Sequence, residues 1–163
     1  MDQLWAPWRL AYVANAKAAE DQQSCFLCVG LADADDRRHL IALRTPRSVV
    51  VLNRYPYNNG HLLVAPIAHK GQLHELDRDE ILEIQETLQR MLAALDALMH
   101  PDGYNLGMNL GRVAGAGLTG HLHWHIVPRW NGDTNFMPVL GEVKVIPQSL
   151  ETLYDMLAER LRK

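Results

Sequence analysis

His121-Leu122-His123-Trp124-His125-Ile126-Val127 is the stretch that decides how the chain is read. Side chains of a β-strand alternate between faces, so a strand over 121–127 puts the three histidines on one face. Leu122, Trp124 and Ile126 then share the other face and enter a core. Successive histidines would stand roughly 6.6 Å apart, two rises of about 3.3 Å, so neighbouring rings can orient one another or bracket one small charged group. Residues 104–110 show the same division: Leu106, Met108 and Leu110 form an apolar face, while Asn105, Gly107 and Asn109 point the other way. If these two strands pair through Gly111-Arg112-Val113-Ala114-Gly115-Ala116-Gly117, Asn109 projects beside the histidines. A loop of such small residues offers backbone N–H groups to phosphate oxygens.

Neutral imidazole is a good nucleophile near neutral pH, and a phosphorylated imidazole is a good leaving group. A second histidine supplies protons to a departing phosphate. Metal chelation without catalysis and structural coincidence are the competing readings. The chain has no G-x-x-x-x-G-K-[ST], so it is not a P-loop protein.

Upstream, three strand-like runs cover 39–44, 48–53 and 61–66, broken by Thr45-Pro46 and by Pro56-Tyr57-Asn58-Asn59-Gly60. Short connections favour antiparallel neighbours. From Asp77 to Met99 the period changes: Ile81, Ile84, Leu88, Met91, Leu92, Leu95 and Leu98 mark one helix face. Asp77 with Glu80 caps its start, and Pro101-Asp102-Gly103 ends it. A last amphipathic helix spans about 150–161, a short one is expected near 6–12, and 33–38 reads as a charged, solvated loop. The expectation is one α+β domain over 1–163: an antiparallel sheet of about five strands, a long central helix and a C-terminal helix. Within it, 1–38 is an N-terminal extension, 39–127 the core and 128–163 a tail and helix.

The 163 residues, 48% hydrophobic and 21% charged, suffice for a core without disulfides. A net charge of -3 argues against a general nucleic-acid binder, so a phosphate ligand must be held by local groups. No run spans a bilayer and no signal peptide is legible, so a cytoplasmic protein without membrane partners is expected. Cys25 and Cys28 are the only cysteines, which excludes a disulfide framework. Redox dithiol, metal half-site and coincidence stay open.

The alternation His121-Leu-His123-Trp-His125-Ile-Val127 resembles the signature of the histidine-triad (HIT) superfamily. Val51-Leu52-Asn53-Arg54-Tyr55-Pro56 through Gly60-His61-Leu62-Leu63-Val64-Ala65-Pro66 resembles its nucleoside-side strands. Leu4-Trp5-Ala6-Pro7-Trp8-Arg9, Met108-Asn109-Leu110-Gly111 and the run from Pro128 to Phe136 are similar to the diadenosine tetraphosphate phosphorylase-like branch. The resemblance implies a HIT-like fold, His123 as a nucleophile that forms a nucleotidyl-imidazole, and His125 as the group that orients the site and protonates the leaving phosphate. It implies Asn53 near the ribose hydroxyls and Asn109 at the α-phosphate. Asn53 also precedes a turn, where asparagine is common anyway.

Many family members carry glutamine four residues before the first histidine; here that residue is Gly117. Backbone N–H groups of Ala116, Gly117, Leu118 and Thr119 are the expected substitutes, and Arg112 or Arg129 could offset phosphate charge. His69 and His121 would complete a Cys₂His₂ zinc set with Cys25 and Cys28, similar to that of some bacterial relatives, against a rival reading of two buried reduced thiols. The resemblance further implies a homodimer. The implied reaction is nucleotidyl transfer from diadenosine tetraphosphate to inorganic phosphate, giving ATP and ADP. Transfer to water, phosphoramidate hydrolysis, and a zinc-stabilised nucleotide-binding module with little turnover are the alternatives.

Overall fold

The computed structural model describes residues 25–134 and 146–162; the helix expected near 6–12 lies outside them. Five strands, β1 (Ile41–Arg44), β2 (Ser48–Leu52), β3 (Leu62–Pro66), β4 (Gly103–Met108) and β5 (Trp124–Arg129), form one antiparallel sheet in the order β1-β2-β3-β5-β4. Among the described residues three helices accompany it: α1 (Phe26–Ala32), α2 (Arg78–Met99) and α3 (Leu150–Arg162). None of them is long and apolar enough to cross a membrane.

The central strands β2 and β3 are buried at every position, because both faces of the sheet are covered there. Val50, Leu52, Leu62, Val64, Leu122 and Ile126 pack with Ile84, Leu88, Met91 and Leu95 of α2 and Leu153 and Leu157 of α3. Cys25, Leu27, Ile41, Val49, Val51, Ala65 and Leu118 pack on the opposite face. Each fully buried aliphatic side chain contributes about 1.5–3 kcal/mol relative to exposure.

Helix α2 begins as its capping pattern requires: Asp77 Oδ1 accepts the Glu80 N–H, and Glu80 Oε2 accepts the Asp77 N–H, each at 2.8 Å. Lys70 Nζ meets the same Glu80 oxygen at 2.6 Å, and the Lys70 carbonyl accepts the Leu122 N–H at 2.7 Å. One lysine thereby ties the α2 start, the turn after β3 and the approach to β5.

That tie corrects the strand expected over 121–127. The β3 ladder runs only from Leu62↔Ile126 to Val64↔Trp124, and beyond it Leu122 bonds to the Lys70 turn instead. His121 and His123 therefore precede β5, which runs on through Pro128 to Arg129. Pro128 lies past the β3 ladder and pairs only with Tyr104 of β4, so its missing N–H is tolerated. The second correction concerns β4, an edge strand ending at Met108: Tyr104 and Met108 reach the core, whereas Leu106 (49%) and Leu110 (47%) are exposed.

The 33–38 segment is not merely solvated. Arg44 binds Asp36 and three carbonyls of the α1 end, and Arg37 pairs with Asp155 of α3.

Candidate active site

His125 pairs with Leu63 on β3 and Gly107 on β4, so these residues share the sheet face opposite α2. His123 is 7% exposed, and its Nδ1 donates to the His121 carbonyl at 3.0 Å. That bond places the proton on Nδ1 and leaves the Nε2 lone pair unprotonated. Burial pushes the His123 pKa below its usual value, partly offset by the carbonyl bond, so the ring is neutral. The His123 and His125 ring centroids stand 5.1 Å apart.

A fourth histidine joins them. His61, fully buried ahead of β3, has Nε2 2.9 Å from His125 Nδ1. The Tyr57 N–H donates to His61 Nδ1 at 2.9 Å, so in the neutral ring the proton sits on Nε2 and is given to His125 Nδ1. Neutral His125 then carries its own proton on Nε2. The Tyr57 ring stacks on His125 at 5.6 Å. His61 stood in the sequence as the first residue of a strand, but register reveals it: it has the parity of Leu63, the residue opposite His125.

Other expected contacts are rearranged. Asn53 Oδ1 accepts the Tyr55 N–H at 2.9 Å and its Nδ2 lies 3.3 Å from His61 Nδ1, so the side chain shapes the 53–57 turn under His61. Asn109 follows the last β4–β5 pair, Met108↔Trp124, and its Nδ2 donates to the Gly115 carbonyl at 3.5 Å. The Ala116 N–H is spent on the Gly111 carbonyl at 3.2 Å, whereas those of Gly117, Leu118 and Thr119 enter no backbone bond among the described residues. Leu118 is anchored in the core under α1. Arg129 grips Asp133 with Nε and Nη2 at 2.6 and 3.0 Å and Asn105 Oδ1 with Nη1 at 2.7 Å, which commits three of its five N–H donors to its own surroundings. Arg112, in a one-turn 3₁₀ segment between Gly111 (φ 80°) and Gly115 (φ 89°), is exposed and unpaired among the described residues.

Cys25, Cys28, His69 and His121 come together with all donor atoms within 4.8 Å of one another. Cys25 Sγ lies 3.3 Å from His121 Nδ1, and Cys28 Sγ lies 3.2 Å from His69 Nδ1 and 3.5 Å from His121 Nδ1. A tetrahedron with ligand distances of about 2.0–2.3 Å has edges of roughly 3.3–3.8 Å, so the donor set fits zinc in kind and in size. His121 Nε2 donates to the Pro66 carbonyl at 2.8 Å, the outer bond that aims Nδ1 at the thiols. Burial lowers His121 to about 4 and raises Cys28 to about 12, the latter helped by the Cys25 thiol.

Comparisons with known proteins agree with this geometry. An AP-4-A phosphorylase of Mycobacterium tuberculosis is 37% identical over 162 residues, 97% of this chain and 83% of that protein. An adenosine 5'-monophosphoramidase of Schizosaccharomyces pombe is 25% identical, over 72% of this chain and 85% of its own length. A zinc-bound histidine triad family protein from Mycobacterium smegmatis superposes with TM-score 0.67 at 25% identity, covering 87% of this chain and 96% of its own. A hypothetical histidine triad nucleotide-binding protein from Sulfolobus tokodaii gives the same TM-score at 26% identity, covering 85% and 92%. The HIT domain model matches residues 36–132, from the first ion-paired loop to the end of β5 and its turn, and with that match the chain belongs to the HIT family.

Proposed function

We propose that the protein is an enzyme that cleaves dinucleoside polyphosphates by transferring a nucleotidyl group through His123 to inorganic phosphate. The observation that carries this reading is the hydrogen-bond pattern around the two rings, which assigns a lone pair to His123 Nε2 and a proton to His125 Nε2. The name of the Mycobacterium tuberculosis relative supports the substrate class.

In the first step His123 Nε2 attacks the α-phosphorus. The bond from phosphorus to the bridging oxygen breaks, and that oxygen leaves as an anion with the electron pair, held by a hydrogen bond from the His125 Nε2–H. In the second step a phosphate oxygen attacks the same phosphorus, and the phosphorus–nitrogen bond breaks with its pair returning to His123. The attacking phosphate oxygen is already ionised near neutral pH, so His125 keeps its proton throughout. Diadenosine tetraphosphate thus yields ATP and then ADP. The N–H groups of Gly117 to Thr119 hold the non-bridging oxygens, and Arg112 balances the extra charge of the acceptor. Zinc on Cys25, Cys28, His69 and His121 would supply a structural cross-link and no chemistry at phosphorus.

Product analysis tests the reading. With diadenosine tetraphosphate and millimolar phosphate, ATP and ADP are expected, and Arg112→Ala should weaken the dependence on phosphate about tenfold, the scale of one charge-assisted contact. AMP and ATP at a rate indifferent to phosphate would make the enzyme a hydrolase. Bound but unconsumed nucleotide would make it a binding module.

His61 acts here as a positioning residue, not a catalytic one. His61→Gln should lower kcat about 10–100-fold with little change in KM, because the His125 tautomer is no longer imposed while the phosphate contacts stay. An unchanged kcat would remove the relay.

The same reading includes a homodimer, since among the described residues β4 offers an unpaired edge with Leu106 and Leu110 exposed beside it. Light scattering should give twice the chain mass at micromolar concentration; a monomer mass would contradict it. The same reading puts the protein in the cytoplasm, where reduced thiols would stay available to zinc.

A further inference from the structure

One cavity on the histidine face takes no part in the steps above. It holds about 270 Å³ and lies next to His125, with Val127 and Arg129 of β5, Asn105 of β4, Tyr57, Asn58 and Asp133 in its walls. Asn105 opposes Val127 in the β4–β5 ladder, so both lie on the same sheet face as His125, whose partner is Gly107. Tyr57 stacks on His125 and lines the cavity as well, so nothing separates the two.

We propose that this cavity receives the distal nucleoside, the one carried away on the leaving polyphosphate. The inference rests on the roles given above to His123 and His125. In-line displacement requires the leaving oxygen to lie on the side of phosphorus away from His123 Nε2, and the His125 Nε2–H gives that oxygen a hydrogen bond. The leaving group therefore departs on the His125 side. Along β5, Val127 lies about 6.6 Å and Arg129 about 13 Å beyond His125, the reach of a short polyphosphate.

The lining favours a neutral group over a further phosphate. The only cation among the described residues that line it, Arg129, is bound bidentately to Asp133, whose carboxyl it holds well below the usual range. The two charges cancel, so the cavity has no excess positive charge for an anion. Tyr57 and Val127 offer flat and apolar surface, and the Asn105 amide supplies donors at the rim. Asn58 Nδ2 donates to the Pro128 carbonyl at 3.0 Å and to Asp133 at 2.8 Å, and Thr134 Oγ1 lies 3.3 Å from Asp133. These bonds set the walls before any ligand arrives. The volume falls just below the usual range for ligand pockets, roughly 300–1,000 Å³, which leaves room for one nucleoside and no more.

The experiment compares diadenosine tetraphosphate with adenosine 5'-tetraphosphate, which has the same α-phosphorus and phosphate count but lacks the distal nucleoside. Wild-type enzyme should show a KM about tenfold or more lower for the dinucleoside, one decade of affinity for one seated moiety. Asn105→Leu and the cavity-filling Val127→Phe should each bring the two KM values together. Equal KM values in the wild type would overturn the assignment without any variant. So would variants that raise both values in proportion. If neither compound is consumed, the nucleotidyl-transfer reading itself fails, and the cavity's role falls with it.

Discussion

His123→Ala is expected to lower turnover by about 10⁴-fold or more, the scale of losing a nucleophile that forms a covalent intermediate. The chain should stay folded. His123 contributes one hydrogen bond, to the His121 carbonyl, and lies outside both apolar clusters. Truncating it costs on the order of 1–3 kcal/mol, a usual price for one buried side chain. The same residue should carry a trappable nucleotidyl group when wild-type enzyme meets substrate without an acceptor. Phosphorus–nitrogen bonds to imidazole are acid-labile, so the quench is alkaline and the readout is the mass of the peptide that contains His123. A variant retaining most of its activity, or an adduct on another residue, would refute the assignment.

Replacing both Cys25 and Cys28 by serine is expected to abolish binding of about one zinc per chain and to lower Tm by on the order of 10 °C or more. The four ligands come from three separated places: the start of α1, the turn after β3 and the approach to β5. One ion would cross-link all three. Structural zinc binds with about 10–16 kcal/mol in small peptides. Even a fraction of that, at about 2–4 °C per kcal/mol for a chain of this size, gives the stated shift. Elemental analysis of untagged wild type showing no zinc would remove the prediction. Zinc retained by the double variant would move the site elsewhere.

Periodic features were the readable ones. Helices α2 and α3 stand within a residue of expectation because their apolar stripes and the Asp77–Glu80 cap are local signals. The alternation of Leu122, Trp124 and Ile126 into the core is equally local. Strand ends were less legible, since β5 starts where Leu122 turns to the Lys70 carbonyl, a partner 52 residues away. The fate of Arg129 was hidden for a similar reason: a turn brings Asp133 back onto it, and no spacing rule says whether an arginine faces a ligand or its own loop. His69 entered only through family likeness, because nothing near it distinguishes a ligand from a surface histidine. His61 required the β3–β5 register, which local pattern does not contain.

His121 belongs to two assemblies through different atoms: its ring faces the thiols, while its carbonyl holds the His123 ring. In the proposed mechanism, chemistry at phosphorus therefore consults position 121 only as a peptide oxygen. Any side chain that keeps this oxygen in place serves the nucleophile equally well. Under that mechanism the triad motif is a catalytic dyad with an anchor, and the two can drift apart. A lineage is free to trade the ligand set for a plain apolar contact at 25, 28, 69 and 121, provided that the peptide at 121 does not move. For an engineer, the anchor is the place to install a different metal or none, with the neighbouring reaction as the gauge of whether the backbone stayed put.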